Sequence, residues 1–108
     1  MGRKLAEQRV SDRVPVGAPT TVRWGEEELT GFLELMNLAG GYVATPRPPE
    51  LGEYVDLNFS LPGEHRTFRV RGSVVFVGES AAARHGFGAR FERAPAALLD
   101  AIKNLKSH

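Results

Sequence analysis

The sequence contains no cysteine, so no disulfide holds its 108 residues together and the folded state depends on a packed core. That suits a reducing compartment such as the cytoplasm. No apolar run approaches the roughly 18 residues that a membrane-crossing helix needs. The opening stretch from Met1 to Gln8 carries Arg3, Lys4 and Glu7 and lacks the apolar centre of a secretory signal. Internal repeats and low-complexity tracts are also missing. His65, His85 and His108 stand at no ligand-like spacing to one another or to acids, which argues against a metal site. Ser11, Ser60, Ser73 and Ser80 lie in no recognisable nucleophile context. Gly86-Phe87-Gly88 is not followed directly by the helix N-terminus that a phosphate loop requires. Together these absences lead to the expectation of a soluble, cytoplasmic protein of one domain. It is expected not to be an enzyme and to need no metal, cofactor or membrane insertion.

Lysine is scarce as well, with three residues against eleven arginines. Arginine presents a planar fork suited to bidentate contact with phosphates and bases, whereas lysine is a point charge. A GC-rich coding sequence would produce the same bias. The formal net charge of +1 hides an uneven distribution. Seven acids fall between Gly25 and Phe59 against Arg47 alone, and six arginines fall between Ser60 and Arg93 against three glutamates.

What is present is a β pattern. Hydrophobic residues make up 42% of the chain, enough for a core. Residues 1–13 are polar and aperiodic and read as a flexible arm, leaving 14–108 for the folded unit. Pro15 and Pro19 introduce a strand, Thr20 to Trp24, rich in β-branched residues. A second strand runs from Leu29 to Leu35, and a short third one from Tyr42 to Thr45 follows the break at Gly40-Gly41. Val55, Leu57, Phe59 and Leu61 alternate with Asp56, Asn58 and Ser60. Phe68, Val70, Val74 and Phe76 then share one face of a long strand, with Gly72 marking a bend at a barrel corner. Phe87, Ala89 and Phe91 alternate in a last strand. Pro95 opens a helix whose apolar stripe is Leu98, Ile102 and Leu105. Six short strands and one amphipathic helix predict an all-β, six-stranded antiparallel barrel with a C-terminal α-helix.

The order of several short motifs is more specific. Arg9-Val10-Ser11-Asp12-Arg13 is an R-x-x-x-R that runs straight into Val14-Pro15-Val16. The stretch from Gly31 to Thr45 contains Leu35, Asn37 and Gly40-Gly41, and Leu51-Gly52 precedes a strand. A long strand ends Gly72-Ser73-Val74-Val75-Phe76-Val77, and Gly86-Phe87-Gly88-Ala89-Arg90-Phe91 precedes the helix. In this order, over residues 8 to 105, the chain resembles the PilZ domains of bacteria.

That resemblance implies a six-stranded PilZ-type barrel acting as a non-enzymatic regulatory or adaptor module in signalling, in control of motility, polarity or biofilm formation through a protein partner. Many PilZ domains also bind the nucleotide cyclic di-GMP, through R-x-x-x-R in the arm and [DN]-x-S-x-x-G in a barrel strand. Carried onto this chain, the ligand residues are Arg9, Arg13, Asn37 and Gly40. The second motif is degenerate: without gaps, Leu35 stands where the family has Asp or Asn, and Asn37 where it has Ser. Sliding the register to put Asn37 on the Asp/Asn position puts Ala39 on the serine and Tyr42 on the glycine. One alternative is therefore a PilZ-like domain that has lost cyclic di-GMP and serves only as a protein–protein adaptor. A more remote one is a nucleic-acid-binding barrel tracking phosphates with Arg66, Arg69 and Arg71. It is opposed by the acidic middle of the chain and by the lack of aromatics beside those arginines on an exposed face.

Overall fold

The computed structural model describes residues 14–37, 39–78 and 85–107, with the helix side chains through Asn104. Six strands and one helix follow in order: β1 (Val14–Trp24), β2 (Glu27–Met36), β3 (Gly40–Ala44), β4 (Tyr54–Phe59), β5 (Phe68–Val77), β6 (Gly86–Phe91) and α1 (Ala96–Ser107). All neighbouring strands pair antiparallel, and the sheet closes in the order β1-β2-β3-β6-β5-β4. The expected barrel and C-terminal helix are thus both present. No helix among the described residues is long and apolar enough to cross a membrane.

Period-two alternation fills the lumen. Val16, Ala18 and Val22 of β1, Val55, Leu57 and Phe59 of β4, and Phe68, Val70 and Val74 of β5 join Phe87, Ala89 and Phe91 of β6 in one core. Thr20 is the polar member of that inward row, and its hydroxyl donates to the Asn58 carbonyl at 2.9 Å. Helix α1 packs against β1 and contributes Leu98, Ala101 and Ile102 to the core. Pro95 stands just outside the helix, its carbonyl accepting the N–H of Leu98 and Leu99 at 3.0 and 3.1 Å.

Strand β1 begins at Val14, six residues before the expected start, so Pro15 and Pro19 lie within the strand. The physical reason is the one-sided pairing of its first half. Strand β2 partners β1 from Val14 onward, but β4 reaches only Thr20 to Arg23. A proline lacking its N–H is tolerated on such an open edge. The register shifts between Pro15 and Ala18, where Gly17 adopts φ 67°, a left-handed conformation that favours glycine.

The second difference concerns Phe76, expected in the core with Phe68. A bulge between Val74 and Phe76 inserts an extra residue against β6, which reverses the alternation, and Phe76 emerges 47% exposed on the outer face. A bulge between Leu33 and Leu35 does the same on β2, so Leu33 and Met36 are buried while Leu35 stands half-buried outside. Gly72 does not break the inward row of β5. It is required because a Cβ there would lie 2.7 Å from the Arg90 carbonyl oxygen.

Candidate functional site on the outer face of the barrel

The two bulges re-aim side chains toward one place. Across the outside of β2, β3, β6 and β5 runs a cavity of about 580 Å³, with Leu35, Asn37 and Gly40 on one side and Val75, Phe76 and Arg90 on the other. Its floor is the backbone of β3 and β6, where Gly40 pairs with Arg90 and Tyr42 with Gly88. Tyr42 is buried, its ring centroid 6.5 Å from that of Phe76 and its hydroxyl donating to the Gly78 carbonyl at 2.7 Å.

Asn37 shapes the rim. Its side-chain carbonyl accepts the N–H groups of Ala39 at 2.8 Å and Gly40 at 3.0 Å, and the Asn37 backbone N–H donates to the Gly40 carbonyl at 2.8 Å. This is the local turn that asparagine favours, and it fixes the β2–β3 hairpin. Oδ1 is thereby committed to the turn, and Nδ2 is the atom of that amide with donor character. Gly40 has a steric reason to be glycine: a Cβ would run into the Ala89 carbonyl oxygen. The Phe91 N–H donates to the Ala39 carbonyl at 2.7 Å, which pulls the two backbones together at that point.

Of the residues expected from sequence, Asn37 and Gly40 therefore meet on one cavity, together with Leu35. Arg9 and Arg13, and with them the whole expected arm, lie outside the described residues. Phe76, Val75 and Arg90 were missed because their arrival at this wall depends on a bulge and on cross-strand pairing. The one available signal was the length of β5, which continues past Ser73, where its pairing with β4 ends.

The charges sort differently from their order in the sequence. Pairing of β4 with β5 places Asp56 opposite Arg71, and Arg71 lies 3.5 Å from Asp56 and 3.8 Å from Glu92 while also covering the Tyr54 ring at 5.4 Å. Arg23 meets Glu28 at 3.1 Å, Arg66 meets Glu64 at 3.5 Å, and Arg69 donates to Asn58 Oδ1 at 3.5 Å. The β4–β5 face is thus a mixed surface rather than a positive track. Arg90, exposed at the cavity, forms no ion pair with another described residue.

The barrel is closed and filled by its core, and the cavity lies outside the sheet rather than in the lumen. The chain belongs to the PilZ domain family, whose model matches residues 7–106. Among solved structures it is similar to the Bacillus subtilis inhibitor of motility (MotI/DgrA), with a TM-score of 0.73 and 17% identity over 88% of this chain and 48% of that one. It is also similar to the Borreliella burgdorferi PlzA protein, whose structure is a complex with c-di-GMP, with a TM-score of 0.65 and 14% identity over 96% of this chain and 43% of that one. The chain spans about half the length of these two proteins, and at such identities the likeness is one of fold. No curated protein matches the sequence.

Proposed function

We propose that this chain is a non-enzymatic bacterial signalling adaptor that binds cyclic di-GMP on the outer-face cavity and passes the binding event to a protein partner in the cytoplasm. In this reading Arg9 and Arg13 supply charge-assisted bonds to the phosphates or guanines of the nucleotide. Asn37 borders the ligand at the β2–β3 turn, and Gly40 lets β3 lie close against β6 beneath it. The observation that carries the reading is the convergence of Leu35, Asn37 and Gly40 on a single cavity. These are the positions onto which the family's strand motif falls without gaps. MotI is named as an inhibitor of motility and PlzA is a c-di-GMP complex, and both share the fold. That supports motility or related surface behaviour as the output.

The second reading, an adaptor that has lost the nucleotide, draws on Leu35. An apolar side chain there forgoes a hydrogen bond that contributes about 1.5–3 kcal/mol when one partner is charged. Its absence weakens binding by roughly ten- to a hundredfold. A calorimetric titration with cyclic di-GMP decides between the two. Saturable binding that disappears in Arg9→Ala and Arg13→Ala supports the first reading, and an absence of heat at high nucleotide concentration leaves the second.

A further inference from the structure

Asn37 and Gly40, carried over from the family, lie on the β2–β3 side of the cavity, and the β5–β6 side carries chemistry of its own. Phe76 is turned outward by the bulge in β5, and bulges of this kind re-aim side chains next to binding sites. Nearly half of Phe76 is exposed, although an aromatic ring gains from burial. It rests on Tyr42, which the bond to the Gly78 carbonyl holds in place. Its cross-strand neighbour is Gly88, where a Cβ would touch Phe76 itself at 3.5 Å and where the strand borders the cavity. Arg90 follows two residues along β6, on the same face and about 6–7 Å further on. The arginines of β1 and β5, Arg23, Arg69 and Arg71, each have a side-chain partner. Arg90 has none among the described residues, and it projects from the strand position opposite Gly40.

We infer that Phe76 and Arg90 form the base-recognition side of the site: a guanine of cyclic di-GMP stacks on Phe76 above Gly88 and presents its O6/N7 edge to the Arg90 guanidinium. This rests on the cyclic di-GMP reading above. An aromatic face accepts any base, whereas an arginine fork matches the two adjacent acceptors of guanine and not the donor–acceptor pair of adenine. Stacking therefore supplies affinity and Arg90 supplies selectivity. The pair also provides, from the opposite wall, a base contact that Leu35 does not offer.

The test is calorimetry of the whole chain and of Arg90→Ala, Arg90→Lys and Phe76→Ala, each titrated with cyclic di-GMP and with cyclic di-AMP after a thermal melt. Arg90 is exposed and Phe76 nearly half so, and the variants are expected to stay folded, with Phe76→Ala melting about 4–8 °C below the parent; Arg90→Lys keeps the apolar stem of the side chain. Arg90→Ala is expected to weaken cyclic di-GMP by about tenfold or more, from loss of a charge-assisted bond. It weakens cyclic di-AMP less, so the preference for guanine shrinks, and Arg90→Lys does not restore it. Phe76→Ala weakens both nucleotides, by about five- to a hundredfold. If Arg90→Ala and Phe76→Ala bind as the parent does while Arg9→Ala loses binding, the inference fails and the cyclic di-GMP reading survives. An equal loss of both nucleotides in Arg90→Ala places that residue on a phosphate and overturns the assignment of selectivity. A parent chain that binds neither nucleotide overturns both readings together.

Discussion

Replacing Leu35 by aspartate restores, in the ungapped register, the acceptor that PilZ relatives carry, and the structure sets the size of both the cost and the gain. Leu35 lies half-buried on the outside of β2, beyond the bulge that keeps Leu33 and Met36 inside. Full burial of a leucine stabilises by about 1.5–3 kcal/mol, so giving up half of that costs about 1 kcal/mol. A fully buried aspartate would cost several times more, but this side chain faces an open cavity. The domain therefore stays folded, with a melting temperature lowered by about 4–8 °C per kcal/mol lost. A carboxylate facing guanine N–H donors recovers about 1.5–3 kcal/mol, which is roughly a ten- to hundredfold tightening of cyclic di-GMP. Asn37 is best left in place, because its Oδ1 closes the turn through Ala39 and Gly40. The assay pairs a thermal melt with a calorimetric titration. A folded Leu35→Asp protein with unchanged affinity would refute both the register and the placement of the nucleotide against β2. An unfolded one would show that Leu35 belongs to the core.

Other consequences follow from the same geometry. Arg9→Ala and Arg13→Ala should each weaken cyclic di-GMP at least about tenfold in a titration, through loss of a charge-assisted bond. Gly40→Ala should lower stability in urea unfolding by about 1–3 kcal/mol or more, because the added methyl meets the Ala89 carbonyl oxygen. Phe87→Ala should cost about 3–5 kcal/mol, since Phe87 is fully buried, whereas Phe76→Ala should cost only about 1 kcal/mol from its contact with Tyr42. Equal losses at Phe76 and Phe87 in the same unfolding assay would contradict the bulge in β5.

The elements of the barrel were legible wherever alternation ran unbroken. Val55, Leu57, Phe59 and Leu61 read as one face and are all buried, as are Phe87, Ala89 and Phe91. Leu98 and Ile102 marked the inner stripe of α1 in the same way. Legibility ended at the bulges, because an added residue reverses every side chain beyond it and leaves no local trace in composition. That is why Phe76 reads as core in sequence and stands on the surface in the fold. Proline punctuation misled at β1, where Pro15 and Pro19 occupy positions that β4 does not reach. The site was half legible. Asn37 and Gly40 were visible through an ordered motif, while Arg90 reaches them only through the pairing of β3 with β6. The charge asymmetry along the chain carried little information about the surface, since the β4–β5 pairing brings Asp56 and Arg71 together.

Amide chemical-shift mapping during a titration with cyclic di-GMP tests the central claim most directly, because it reports the place of binding as well as its occurrence. The account predicts saturable shifts at Leu35, Asn37, Gly40, Gly88 and Arg90 around the outer-face cavity, with Arg23, Asp56 and Arg69 across the barrel unmoved. Shifts centred on Arg23, Asp56 and Arg69, or no shifts at saturating nucleotide, would contradict it.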